Sequence, residues 1–340
     1  MNWLIHIFIT LFGLSVFAQE KLGVLSVEEV LLRPYFLLQE PQSGEFFLGD
    51  SSVAFGWKKS HTLGAIFRIG SQTLLNSSAR FSDTVDDRLG VIEAFGQVTG
   101  DDGRLRVGLV PLEYGVEGGW LESELTLHRS LFFQRRVIAL RDFGLSYQVG
   151  HQGFYSQMAV DNCKSGGNTY GRMFLTANWG WSNYRNLNLG VAAQTGTTKP
   201  ESTSTSNDTF AGVDPTQEAK WRLANLFFHW YPNNWQVLLE VHLGELEQNK
   251  VATKLSGGHF DLGYRLNPYS QLLLRYDHFD PNEKSYGDLE REVSLGFGVS
   301  DKHNTNSLYV IATKAIEQGQ EVNNDQLRLI WRLTSLSQRH

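Results

Sequence analysis

Arginine recurs at alternate positions in several short segments of this sequence. Arg104 and Arg106 alternate with Leu105 and Val107, Arg172 stands opposite Met173 and Leu175, and Arg275 lies between Leu274 and Tyr276. Arg328 and Arg332 alternate with Leu327, Leu329, Trp331 and Leu333, and Arg68 fits the same face. A guanidinium stays charged at any physiological pH and offers a planar fork to carboxylate or phosphate oxygens. Ranged along a water-filled wall, these groups lower the barrier for anions and raise it for cations. Glu240, Glu292, Asp142 and Asp277 project to the same side, so part of the arginine charge is expected to be neutralised in a wall network.

A second set of charges lies in the longest connection, 111–140. Glu113, Glu117, Glu122 and Glu124 come first, then His128, Arg129, Arg135 and Arg136. Folded into a wide lumen, this loop forms a constriction, with Glu113 and Glu117 facing Arg129, Arg135 and Arg136 to set a transverse field. The alternative is a loop standing outside.

Catalytic signatures are absent: no Walker A loop, no His-Glu-x-x-His, no Gly-x-Ser-x-Gly and no Rossmann glycine pattern. His128 and Ser130 are two apart, which is no triad without geometry. Asp277, His278 and Asp280 could suggest a metal site, but a strand end running into a polar loop is the preferred reading. Cys163 is the single cysteine, so the chain holds no internal disulfide. No enzyme activity, metal or cofactor is expected.

The elements that must carry these residues have a period of two. Leu187, Leu189, Val191 and Ala193 alternate with Asn186, Asn188, Gly190 and Ala192. The segments 235–244, 292–299 and 326–333 behave alike, which is the pattern of strands with one apolar face. Helix-like spacing is confined to Ser26–Leu32 and part of 120–140. Short links, such as Gly100–Gly103, Gly150–Gly153 and Pro232–Asn233, alternate with longer polar ones near 71–87, 111–140, 162–168, 195–216, 246–250 and 279–288. Short turns at one rim and long loops at the other are the arrangement of a transmembrane antiparallel β-barrel. Counting gives about sixteen strands, beginning with 33–40 and 45–57 and ending with 323–333, each near the roughly 9–11 residues that a tilted strand needs to cross a bilayer. Trp57, Trp179, Trp181, Trp230, Trp235 and Trp331 cluster near the short-link rim, as an aromatic girdle does.

Composition agrees. The chain is 41% hydrophobic and 19% charged, with 33 glycines, 8 prolines and 12% aromatics. Beyond residue 18 no apolar run is long enough for a membrane helix. The net charge of −6 gives no nucleic-acid footprint. Trp3 to Phe17 are nearly all apolar, and Val16-Phe17-Ala18 before Gln19 resembles a cleavage site, so 1–18 reads as a signal peptide. Residues 19–32 read as a short N-terminal periplasmic segment and 33–340 as one outer-membrane barrel.

The stretches Arg106-Val-Gly-Leu-Val-Pro-Leu-Glu-Tyr-Gly-Val-Glu-Gly118, Arg135-Arg-Val-Ile-Ala-Leu-Arg-Asp-Phe-Gly-Leu145 and Leu274-Arg-Tyr-Asp-His-Phe-Asp-Pro-Asn282 resemble the phosphate-selective porin O/P family. So does the final strand, Asp325-Gln-Leu-Arg-Leu-Ile-Trp-Arg-Leu333. The likeness spans roughly 45–333. It implies a sixteen-stranded trimeric barrel in a Gram-negative outer membrane that passes anions such as phosphate, with basic residues on its constriction loop. Phosphate-selecting members carry lysines there, whereas this chain has none between Lys59 and Lys164 and offers Arg129, Arg135 and Arg136. Such barrels commonly end on an aromatic residue, but here Thr334 to His340 follow.

The expectation is therefore a porin passing small hydrophilic solutes by diffusion, mildly favouring anions. Outer-membrane lipid, small anionic solutes and two further copies of the chain are its partners. A barrel with a structural or adhesive role, an outer-membrane hydrolase and a soluble exported β-sandwich are the alternatives.

Overall fold

The computed structural model describes residues 23–39, 44–71, 89–121, 124–135, 137–162, 173–183, 186–198, 217–318 and 325–336. The leader 1–18, Glu122, Arg136, Cys163 and Arg172 lie outside them, as do most of the links 71–87, 162–168 and 195–216.

The described chain forms one sheet of eighteen segments. The first eight are β1 (Val24–Leu32), β2 (Tyr35–Gln39), β3 (Glu45–Phe47), β4 (Ser52–Lys58), β5 (Leu63–Ser71), β6 (Leu89–Thr99), β7 (Gly103–Pro111) and β8 (Arg141–His151). Next come β9 (Phe154–Asp161), β10 (Phe174–Ser182), β11 (Leu187–Thr198), β12 (Ala219–Trp230) and β13 (Trp235–Gln248). The last five are β14 (Val251–Asn267), β15 (Ser270–Asp280), β16 (Glu290–Ser300), β17 (Asn306–Glu317) and β18 (Gln326–Leu336).

Both β1 and β2 pair with β18, while β3 lies against β2 and β4 against β1. The first four segments thus make two broken staves, and the whole closes as a sixteen-stranded antiparallel β-barrel. Closure joins β18 back to β1 and β2, and such closed pairing is the condition for strands to exist in lipid.

Residues 24–32 are therefore wall, and the expected periplasmic segment 19–32 does not hold over them. The reason is local. A bulge between Val27 and Glu29 breaks the period-two pattern, so Ser26–Leu32 mimics helical spacing. Pro34 then interrupts the ladder because it has no N–H to donate. The link expected at 246–250 also shrinks: Asn249 and Lys250, both left-handed, turn β13 tightly into β14. Among the described residues of 120–140, helix is limited to one turn, α1 (Leu131–Gln134).

The alternating apolar residues face outward. Leu226, Leu243 and Leu295 are 59%, 57% and 61% exposed, while their neighbours Asn225, His242 and Ser294 are buried on the inner side. Trp179, Trp230, Trp235 and Trp331 are exposed on the outside near the short-turn rim, Trp235 against Tyr264 at 4.4 Å. The oily stripes form an outer band, so a packed soluble sandwich is excluded.

Candidate pore lumen and inner loop

The strand alternation that sends leucine outward sends arginine inward, and register across the strands supplies each with partners. On β5, Arg68 is buried and bonds Glu29 of β1 at 2.6 Å and Glu93 of β6 at 3.0 Å. Arg141 at the start of β8 reaches the other oxygen of Glu93 at 3.0 Å. Arg106 meets Glu113 at 3.2 Å and lies over the Phe95 ring. Arg275 on β15 holds Asp261 of β14 at 2.5 Å and Glu117 at 3.1 Å, and donates to the His128 carbonyl. Neutral groups receive the rest: Arg104 donates to Gln148 at 2.6 Å and Arg328 to Gln326 at 2.6 Å. Arg332 donates to Asn304 at 2.7 Å and Ser307 at 3.1 Å and covers the Tyr309 ring.

The connection after β7 folds against the inner face of the barrel. Leu112, Tyr114, Val116, Leu127, Leu131, Phe132, Phe133 and Val137 to Leu140 are all buried. Phe132 stacks on His242 at 4.0 Å and meets Phe279 edge-on. It passes over Gly257, where an added Cβ would stand 2.9 Å from its ring. Val116 packs on Phe227 and Leu238, whereas Leu127 packs on Leu273, Tyr309, Ile311 and Ile330. The loop thus packs against β12 and β13 through Val116 and against β15, β17 and β18 through Leu127.

Polar tethers fix it. Glu240 on β13 accepts the backbone N–H groups of Val116 at 2.7 Å and Glu117 at 2.6 Å. Gly115 allows this approach. Its φ is +72°, and a Cβ there would lie 2.5 Å from Glu240 Oε2. Asp277 accepts the Leu131 N–H at 2.8 Å, and Arg33 donates to the Leu127 carbonyl at 3.0 Å. Arg135 pairs with Glu290 at 2.6 Å. Arg129 donates to the carbonyls of Glu117 and Trp120 within the loop itself.

Glu117 is fully buried and accepts from the Ser130 hydroxyl at 2.5 Å and the Ser130 N–H at 3.0 Å. Burial alone would raise this carboxyl. Arg275, His259, Arg129 and the Ser130 hydroxyl outweigh it and hold the group down at about 2. His128 is pushed to about 4, chiefly by burial and then by Arg328, with Glu292 at 3.4 Å opposing the shift.

Charges expected to face one another across the constriction are instead matched locally. Glu113 answers Arg106, Glu117 answers Arg275, and Arg135 answers Glu290. His128 and Ser130 turn to separate carboxylates, Glu292 and Glu117, and do not form a catalytic pair. Asp277 faces inward and is buried, whereas the next residue on the strand, His278, takes the other side. Among the described residues no group of three His, Cys, Asp or Glu is placed to hold a metal ion.

Sequence reading missed Glu29, Glu93, Arg33 and Arg141, whose roles follow from strand register. It also missed the inward apolar residues Trp221, Leu223, Leu246 and Leu255, which receive the loop. Their signal was present in β12, whose run Trp221 to Phe228 is largely apolar on both faces, as in a strand covered from both sides.

Below the loop, at the short-turn rim, lies a cavity of about 560 Å³. Arg104, Gln148, Tyr155, Asn178 and Asn188 line its wall, and Trp120 hangs from the loop above.

No family model and no curated protein matches the chain. Solved structures do match in fold. OmpT of Vibrio cholerae, an outer membrane protein described in its trimer form, has a TM-score of 0.67 at 10% identity, covering 93% of this chain and 100% of that one. The outer membrane channel DcaP of Acinetobacter baumannii gives 0.66 at 8% identity, over 94% and 99%. The anion-selective porin of Comamonas acidovorans gives 0.64 at 10% identity, over 92% and 99%. The chain thus has the fold of outer-membrane porins.

Proposed function

We propose that this protein is an outer-membrane channel through which small hydrophilic solutes diffuse, with the loop 112–140 as its constriction. One observation carries the reading: a closed barrel presents apolar residues outward and a charged, hydrogen-bonded face inward. Charge on the lipid side at mid-depth costs about 2–4 kcal/mol, whereas the same charge facing an aqueous lumen does not. The channel sits in the outer membrane after removal of the leader 1–18, and N-terminal sequencing of the mature chain is expected to start at Gln19. It assembles as a homotrimer, by analogy with OmpT, and unheated gel electrophoresis checks this.

Its anion preference is mild. Arg68, Arg106, Arg135 and Arg275 are offset by carboxylates, while Arg328 donates to the neutral amide of Gln326. The finer phosphate preference rests on these guanidinium forks and on the resemblance to the O/P porins. In planar bilayers we expect stepwise conductance and a small reversal potential of anion-favouring sign in a potassium chloride gradient.

A second reading is a barrel closed by its loop and serving a structural role. The packing of Leu127 against Leu273, Tyr309, Ile311 and Ile330, in addition to the Val116 contacts with Phe227 and Leu238, favours it. Absence of conductance steps at every applied voltage selects this reading over the first.

A further inference from the structure

We infer that the cavity beneath the inner loop is a recognition site for a neutral carbohydrate, entered from the short-turn rim. Its volume of about 560 Å³ falls in the range of small-molecule sites, about 300–1,000 Å³.

The chemistry of the lining selects the ligand class. Trp120 and Tyr155 supply aromatic faces, with Val116 and Val149 beside them. Amphipathic rings of this kind suit a ligand with one apolar face and a polar edge. Arg104, Gln148, Asn178 and Asn188 surround them with donors and acceptors. Tyr155 donates its hydroxyl to Asn188 Oδ1 at 2.9 Å, which orients that amide. Asn178 is 3% exposed and gives its amide N–H to the Gly115 carbonyl, yet its Oδ1 is buried without a hydrogen-bond partner. An orphaned buried acceptor is costly unless a ligand or water answers it. Because Asn178 lines the cavity, a turn of its amide brings that oxygen to a sugar hydroxyl, which donates to it and accepts from a neighbouring amide or guanidinium.

Other ligand classes fit less well. Asp101 and Asp102 line the cavity and repel an anion, Arg106 already answers Glu113, and Arg104 stands among the amides of the wall, so no charge on the ligand is matched there. A wholly apolar molecule would leave the amides unanswered. A ligand with vicinal hydroxyls and no charge suits the whole set.

The site requires folded barrel and docked loop but does not depend on conduction. The test is isothermal titration calorimetry on the full chain in lauryldimethylamine oxide, a detergent without sugar. Two probes separate the sources of such chemistry: maltotriose for a free oligosaccharide and tri-N-acetylchitotriose for a cell-wall-type glycan. Saturable heat with either supports the proposal, and its size with each assigns the source. Trp120→Ala is expected to weaken binding by at least about ten-fold, the ratio that corresponds to about 1.4 kcal/mol, while Trp120→Phe retains most of it. Because Trp120→Ala also touches the loop, Asn188→Ala on the strand wall provides a second variant, expected to lose several-fold. In bilayers, the sugar should block current from one chamber only. No saturable heat with either probe, or equal affinity in the wild type, Trp120→Ala and Asn188→Ala, overturns the inference. A chain that binds sugar without conducting leaves the site standing and removes the channel reading alone.

Discussion

Replacing Arg275 with Met should release the inner loop while leaving the barrel wall intact. Arg275 is buried and joins the wall carboxylate Asp261 to two points of the loop, Glu117 and the His128 carbonyl. Methionine fills similar space but strands Glu117, which is fully buried. Removing one member of a buried ion pair costs about 3–5 kcal/mol. At 1.4 kcal/mol per decade, the undocking equilibrium shifts on the order of 10²- to 10³-fold. The strand ladders do not pass through this side chain, so the sheet persists. Limited trypsin digestion reads the effect, because Arg129 and Arg135 become accessible when the loop leaves. Single-channel recording reads it independently as a larger unitary conductance. If Arg275→Met resists trypsin as the wild type does and conducts identically, Arg275 is not the latch and the reasoning from buried charge fails here.

Acid should loosen the same loop in two stages. His128, held at about 4 against an ordinary 6.5, is neutral when docked, so docking weakens as pH falls from 6.5 toward 4. Glu117, held at about 2 against 4.5, keeps its full contribution above 4.5 and loses it as pH falls toward 2. Conductance recorded across this range is expected to rise on acidification, and a flat profile would contradict it. Reversal-potential measurements should show Arg328→Glu reducing anion preference more than Arg68→Glu, because Glu29 and Glu93 already offset Arg68. Leu295→Arg on the outer face is expected to destabilise the folded barrel by about 2–4 kcal/mol, read from urea unfolding in lipid vesicles.

The wall was legible from sequence wherever alternation was unbroken. Trp235 to Leu243 reads directly as an outward stripe, and the structure agrees. The first stave was not legible, because the bulge at Val27 and the proline at 34 hide its period. The inward loop was half legible. Leu131-Phe132-Phe133 and Val137-Ile138-Ala139-Leu140 are too apolar for a loop in water, but nothing in their order says which strands receive them. Charge pairing was the least legible part. That Arg68 meets Glu29 and Glu93, or that Glu117 meets Arg275, depends on residues brought together from 25 to 158 positions apart.

Val30 of the first stave bonds Ser335 of the last, 305 positions along the chain. Each hairpin in between is local and can zip early, whereas this join waits for the final segment to arrive. Until β18 docks, the edges of β1 and β2 stay open to any other strand, an invitation to aggregate. Closure of that one seam is therefore the late step that this topology sets for assembly.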